Sequence, residues 1–284
     1  MKRNSLIICR GGGDLATGIV HRLHRAGFRV LVLETDHPAA IRRQVSFCEA
    51  VYEGKATVEG VTAQRIDSVS EMEEVFAGGC VPLFIDSKGA SIADLHPDVV
   101  VDAIIAKKNL GTTKEMAPLV IGVGPGFTAG VDVDLVIESM RGHNLARILE
   151  EGSALPNTGI PGAIAGVAKE RVIHAECAGI LYGEKKISDY VQKDEVIAFI
   201  YPDTQGKDAS GQEKKDGAFA VRATISGILR GLIRDGYLVT KGFKIADIDP
   251  RESEYENCFT ISDKARCIAG GVLEALLHAG ILPE

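Results

Sequence analysis

Ser5-Leu6-Ile7-Ile8-Cys9, followed by Arg10-Gly11-Gly12-Gly13-Asp14-Leu15-Ala16-Thr17-Gly18, is the stretch on which the fold reading turns. The first five residues form an apolar run of strand length, and the glycines mark a tight turn. Leu15 to Arg25 then repeats at helical spacing, with Ile19, Val20, Leu23 and Ala26 on one stripe and Gly27 as its stop. Arg29-Val30-Leu31-Val32-Leu33 predicts a second strand, ending in Glu34. Gly11-x-Gly13-x-x-Ala16 fits the glycine fingerprint of a dinucleotide-binding βαβ unit, with Glu34 about where a ribose-binding carboxylate belongs. Glycine serves there because the backbone must approach a pyrophosphate, which the free N–H groups of the helix N-terminus attract. Asp14 departs from the pattern, since a carboxylate at the helix start repels phosphate. It either caps the helix or meets a cation or hydroxyl of the ligand, with Arg10 as compensation on the phosphate side.

Working outward, Val81–Ile85, Val99–Ile104 and Leu119–Ile121 are further aliphatic runs, and Ser68-Val69-Ser70-Glu71 is a capping box opening a short helix. Runs of this kind belong to a parallel sheet covered on both faces, a Rossmann-like α/β domain over residues 1–151. The carboxyl ends of parallel strands open onto one crevice. Its candidate binding residues are Arg10 to Gly18, Glu34, Lys88, Lys107, Lys108, Asn109, Gly124, Gly126, Phe127 and Thr128. The three lysines are anion partners, and Gly122-x-Gly124-Pro125-Gly126 is a second backbone nest. The expected ligand is a dinucleotide, either NAD(P) or a molybdenum pterin cytosine dinucleotide. His143 is the best acid/base candidate, although Arg141-Gly142-His143 also reads as a structural loop. His96, Asp98 and Asp102 match no standard metal-site spacing, so no metal is expected.

Residues 152–162 form a Gly/Pro-rich linker, and the segment after it repeats itself. Ala175-x-x-x-Gly179-Ile180-Leu181-x-Gly183 matches Ala223-x-x-x-Gly227-Ile228-Leu229-x-Gly231 at an offset of 48 residues. Val191-x-Lys193 and Ile197-Ala198-x-Ile200 recur at the same offset as Val239-x-Lys241 and Ile245-Ala246-x-Ile248. Each unit is too small to bury its own face, so the two must pack together. Residues 163–252 therefore resemble the biotinyl/lipoyl-type barrel-sandwich hybrid, a β-rich domain. The join from Thr204 to Gly217 is long and lacks the usual Met beside its lysines, which argues against covalent biotin or lipoate. Residues 253–284 carry a C-terminal helix, with Ile268, Val272, Leu276 and Leu277 as the stripe that packs back on the first domain.

Composition narrows the partners. A net charge of −7 without a basic stripe argues against a general nucleic-acid binder. No apolar run is long enough to cross a membrane, and Met1-Lys2-Arg3-Asn4 leads straight into a core strand, leaving no room for a signal peptide. Six scattered cysteines without a C-x-x-C read as reduced thiols of a cytoplasmic protein.

The chain resembles the YqeB family of accessory proteins for selenium-dependent molybdenum hydroxylases. The residues that carry the likeness are Arg10 to Gly18, Ala106 to Thr112, Gly122 to Asp132, Arg141-Gly142-His143, Gly227 to Ile233 and Asp247-Ile248-Asp249-Pro250-Arg251. The resemblance implies a role in maturing such a hydroxylase, which would be the protein partner. NAD(P)-dependent oxidoreduction is the alternative, and the residues alone leave open whether the protein is an enzyme.

Overall fold

The computed structural model describes residues 5–159, 166–202 and 217–283. The chain divides into two compact units. The first comprises residues 1–38, 45–158 and 259–284, and the second residues 39–44 and 159–258.

In the first unit β1 (Leu6–Arg10), α1 (Asp14–Arg25) and β2 (Arg29–Glu34) follow one another as the periodicity predicts. Next come α2 (Ala50–Glu53), β3 (Lys55–Val58), β4 (Val61–Ile66), α3 (Met72–Ala77), β5 (Val81–Ile85), α4 (Ile92–Leu95), β6 (Val99–Asp102) and β7 (Leu119–Val123). Short strands β8 (Thr128–Ala129), β9 (Leu135–Ile137), β10 (Ile148–Leu149) and β11 (Gly152–Ser153) complete it, with α5 (Asp263–His278) from the C-terminal segment. Ser68 and Glu71 form the predicted capping box, with Ser68 N–H donating to Glu71 Oε1 at 2.8 Å, one turn ahead of α3.

Nine strands form one sheet in the order β10-β9-β7-β6-β1-β2-β5-β4-β3. The alternation of strand side chains splits its core in two. Ile7, Cys9, Val30, Val32, Val99 and Val101 pack with α1 and α5, while Ile8, Leu31, Leu33, Val100 and Val120 pack with α3 and α4. A Cβ at Gly18 would lie 2.8 Å from Ala265 Cβ, so this glycine permits the close approach of α1 and α5.

The second unit contains β12 (Val172–His174), β13 (Gly179–Gly183), β14 (Tyr190–Val191), β15 (Val196–Tyr201), β16 (Phe219–Arg222), β17 (Gly227–Leu232), β18 (Tyr237–Val239) and β19 (Lys244–Asp249). Strands β12 to β15 come from the first repeat and β16 to β19 from the second. The sheet orders are β12-β19-β17-β14 and β16-β15-β13-β18, so each sheet takes two strands from each repeat. Hydrogen bonds obey the same exchange. Ala175 N–H donates to Phe243 O and Ala223 N–H to Glu195 O, both at 2.8 Å, and the two donors, like the two acceptors, are related by the 48-residue offset.

The expected fold class is corrected on both counts. The large sheet is mixed, not a parallel Rossmann-like sheet, because β3 pairs antiparallel with β4 and β10 antiparallel with β9. The second unit consists of two separate four-stranded antiparallel sheets in place of the biotinyl/lipoyl barrel-sandwich hybrid. Residues 203–216, with Lys207, Lys214 and Lys215 of the expected join, lie outside the described residues.

Candidate functional site

The carboxyl ends of β1, β2, β5, β6 and β7 share one edge of the large sheet, because these strands run parallel. Most sequence-predicted site residues sit on the loops of that edge, and the geometry separates them into two groups.

The glycine turn after β1 is closed by its own chain. Gly12 N–H donates to Glu34 Oε2 at 2.7 Å, and Thr35 N–H donates to Glu34 Oε1 at 2.8 Å. Both oxygens of the expected ribose-binding carboxylate are thus engaged by backbone, and burial pushes the Glu34 carboxyl above its ordinary value despite those two donors. The 3₁₀ turn Phe47–Glu49 lies against the glycines. Cys48 N–H donates to Gly12 O at 2.8 Å, and a Cβ at Gly12 would come within 3.0 Å of Cys48 N. Thr17 Oγ1 donates to Gly12 O at 3.1 Å and accepts from Phe47 N–H at 2.8 Å. Gly11, Ala16, Thr17 and Gly18 are buried, and Leu15 packs against the core. Asp14 Oδ1 accepts from Leu15 N–H at 2.9 Å within the first turn of α1. Of Gly11, Gly12 and Gly13, the last alone has room, a Cβ there meeting nothing within 4 Å.

Arg10 turns away from this loop and under the next one. It is 2 % exposed, and its Nη1 donates to Thr112 Oγ1, which in turn donates to Asp102 Oδ2 at 2.5 Å. Arg10 Nη2 donates to Ser87 O at 3.3 Å. One buried guanidinium thereby ties the loops after β5 and β6 to the end of β1. Burial raises the Asp102 carboxyl, while the Thr112 hydroxyl, the Ile104 N–H and Arg10 pull it back. The expected phosphate-compensating arginine is a strut; Thr112 lies in one of the stretches that carry the family likeness, but its bond to Arg10, 102 positions away, has no signal in the sequence.

The loops after β6 and β7 are built differently. Ile105 and Lys107 hold left-handed backbone at φ 59° and 64°, although Ile is β-branched and disfavours it. Gly126, at φ +114°, lies so close that a Cβ would be 2.6 Å from Lys108 Cα. Lys107, Lys108 and Lys88 are exposed on this edge. The remaining predicted residues have internal roles. Asn109 Oδ1 accepts from Gly111 and Thr112 N–H, each at 2.8 Å. Phe127 is buried and folds against Gly122. Gly124, at φ +81°, makes room for Ser139 Oγ, and Thr128 N–H donates to Asp132 Oδ2 at 2.9 Å. His143 is exposed on the loop after β9, whose neighbouring Arg141 pairs with Asp263 at 2.6 Å.

No family model matches the chain. Over 281 residues, 98% of its length, it is 44% identical to the uncharacterized protein YqeB of Escherichia coli K12. The chain is a relative of YqeB. It spans about half of that protein, 49% of its length. Solved structures with a distant likeness include the ectoine utilization protein EutE (DoeB) of Ruegeria pomeroyi, at 11% identity and a TM-score of 0.27 over 87% of this chain and 86% of that one. An aspartoacylase family protein of Mesorhizobium loti is 12% identical at a TM-score of 0.29, over 88% of this chain and 86% of that one. Such scores are too low to transfer fold or chemistry.

Two functional expectations are corrected by these findings. Hydroxylase maturation came with the family resemblance, but the YqeB relative is itself uncharacterized and brings no such role. NAD(P)-dependent oxidoreduction rested on an open glycine turn, whereas Glu34 and Cys48 fill that turn. Among the described residues no helix is long and apolar enough to cross a membrane.

Proposed function

We propose that this protein of the YqeB type binds a small anionic metabolite, one bearing phosphate or carboxylate, on the loops after β6 and β7 of its first unit. The observation that carries the reading is the left-handed backbone at Ile105 and Lys107. Such conformations cost on the order of 1–3 kcal/mol each and persist where surrounding structure imposes them, often at ligand clamps. Here the imposing contacts are the Arg10–Thr112–Asp102 network beneath the loop and the Gly126 backbone beside it. The outcome is two exposed lysines, Lys107 and Lys108, on a backbone braced by those contacts, with Lys88 exposed on the same sheet edge. A braced backbone lowers the loop-ordering part of the cost of binding, while the lysine side chains still pay their own.

The test is a thermal-shift and titration screen with phosphorylated and carboxylated small molecules, run on the unsubstituted protein and on Lys107→Ala/Lys108→Ala. A stabilising anion is expected whose affinity falls at least tenfold in the double variant at low salt, with the difference narrowing as salt rises. An anion bound equally by both proteins, or none bound by either, overturns the reading.

A further inference from the structure

A cavity of about 650 Å³ lies in the first unit between α5 and the β9–β10 hairpin. That volume is within the roughly 300–1,000 Å³ that holds a drug-sized ligand. One wall is a stripe of α5, with Gly271, Glu274 and His278 recurring at helical spacing. Arg147 and Glu150 stand on the opposite wall, and Leu135, Ile148 and Ala275 make the floor between them apolar.

The two ends of the cavity differ in charge. Ala146 has left-handed backbone at φ 66°, and a Cβ at Gly271 would overlap its carbonyl oxygen, so the hairpin abuts the helix there, with Arg147 the next residue. Gly18 meets Ala265 and Gly270 meets Arg22, so α5 runs alongside α1 and, like it, against the parallel strands. β10 is antiparallel to those strands, so it leaves the contact in the same direction as α5. Seven helical residues carry α5 about 10 Å from Gly271 to His278. Three extended residues carry the hairpin about 10 Å from Arg147 to Glu150. Glu150, Glu274 and His278 therefore gather toward the far end, where the C-terminus of α5 adds the negative end of its dipole. The Arg147 guanidinium marks the near end.

Folding leaves these charges open. Arg147 Nε donates to His143 O at 3.5 Å, and among the described residues no ion pair engages Arg147, Glu150, Glu274 or His278. No three His, Cys, Asp or Glu side chains among the described residues are grouped to hold a metal ion, so the acidic end suits an organic ammonium group. β10 also ends the nine-stranded sheet, which leaves one side of its backbone without a strand neighbour. Such an edge can pair with an extended peptide.

We infer that this cavity binds a short aliphatic peptide of dipeptide size, its carboxylate on Arg147 and its ammonium group between Glu150 and Glu274. A guanidinium meets a carboxylate in paired hydrogen bonds, and the floor takes the aliphatic side chains. A free amino acid carries both charges on one carbon and cannot span the two ends. Two extended residues separate them by roughly 7 Å, and the long side chains of the walls cover the rest.

The probe is Leu-Leu, titrated into the full chain by calorimetry. One molecule per chain is expected, with a dissociation constant below about 1 mM. N-acetyl-Leu-Leu, which lacks the ammonium group, and Leu-Leu amide, which lacks the carboxylate, should each bind at least tenfold more weakly. Arg147→Met should weaken Leu-Leu at least tenfold and leave Leu-Leu amide unchanged. Glu150→Gln/Glu274→Gln should weaken Leu-Leu at least tenfold and leave N-acetyl-Leu-Leu unchanged. All three side chains are exposed, so these variants should unfold at the parent's midpoint. Lys107→Ala/Lys108→Ala should bind Leu-Leu as the parent does, which separates this cavity from the anion site proposed above. Binding of Leu-Leu weaker than about 1 mM overturns the inference. So does an affinity that neither cavity variant changes, or one that only the lysine variant loses.

Discussion

Two glycine-rich segments meet the same edge of the large sheet, and they have opposite fates. Gly11-Gly12-Gly13 has the stronger motif, yet its backbone is spent on Glu34, Cys48 and Thr17. Gly122-x-Gly124-Pro125-Gly126 has the weaker motif, yet it packs on a loop that carries two exposed lysines. Glycine states only that something approaches closely. In the first segment the approaching group is the chain itself, as the 3.0 Å separation between a Gly12 Cβ and Cys48 N makes plain. In the second, Gly126 lets one loop brace another and leaves the lysines facing outward.

The comparison breaks most readily at Arg10, the residue that serves both segments. Arg10→Met removes the guanidinium from Asp102 and Thr112 and leaves a buried carboxylate without its cation. A loss of about 3 kcal/mol or more is expected in urea unfolding. Arg10→Met/Asp102→Asn should recover most of it, because the charge left behind is then gone. If the single variant costs less than about 1 kcal/mol, the strut role fails.

Gly126→Ala comes next. The residue combines φ +114° with a Cβ that would fall 2.6 Å from Lys108 Cα. Strain and overlap together predict a cost of about 2 kcal/mol. Because Lys108 must shift, the anion affinity proposed for that loop should fall with it. Lost stability with unchanged affinity would separate the brace from the binding site.

Much of the edge was legible in advance. β1, α1 and β2 appear where hydrophobic spacing places them, and the strand ends after β5, β6 and β7 carry the predicted lysines and glycines. The repeat of the second unit was readable because ten identities share one offset. Three things were not readable. Residues 45–49 have no periodicity that announces a cover for the glycine turn, and Thr112 lies far in sequence from the arginine it bonds. Ile105 is the clearest case, since a β-branched residue reads as strand and its left-handed backbone is imposed by neighbours. Motifs report local backbone demand, and the occupant of a site is decided by tertiary contacts.

Glu34 sharpens the comparison through pH. Its carboxyl is raised by burial above the ordinary 4.5. A raised acid contributes stability that is fully present below its unfolded value and is lost as pH rises through its folded value. Glu34→Gln mimics the protonated form and removes that dependence. The stability of the unsubstituted protein relative to the variant should therefore fall from pH 4.5 upward, ending within about 1 kcal/mol of it at pH 7.5. A difference that does not change with pH would mean that Glu34 keeps its charge at no cost.

The smallest effect is expected at Gly13, and it is the most pointed. Gly13 has φ −67°, which every residue adopts, and a Cβ there meets nothing within 4 Å. It serves as the N-cap of α1 without a side-chain hydrogen bond, a position where Gly is preferred to Ala, so Gly13→Ala should cost about 0.5 kcal/mol. Gly12→Ala, one residue earlier, pushes a methyl group toward Cys48 N and should cost clearly more. If the turn were a pyrophosphate seat, the order of importance would reverse: Gly13 faces the open side, and a methyl group there would block the ligand while Gly12→Ala left binding intact. Measuring anion affinity and unfolding for both variants therefore decides between a structural turn and a binding turn. The geometry predicts that Gly12→Ala loses more stability and that Gly13→Ala loses little stability and no affinity.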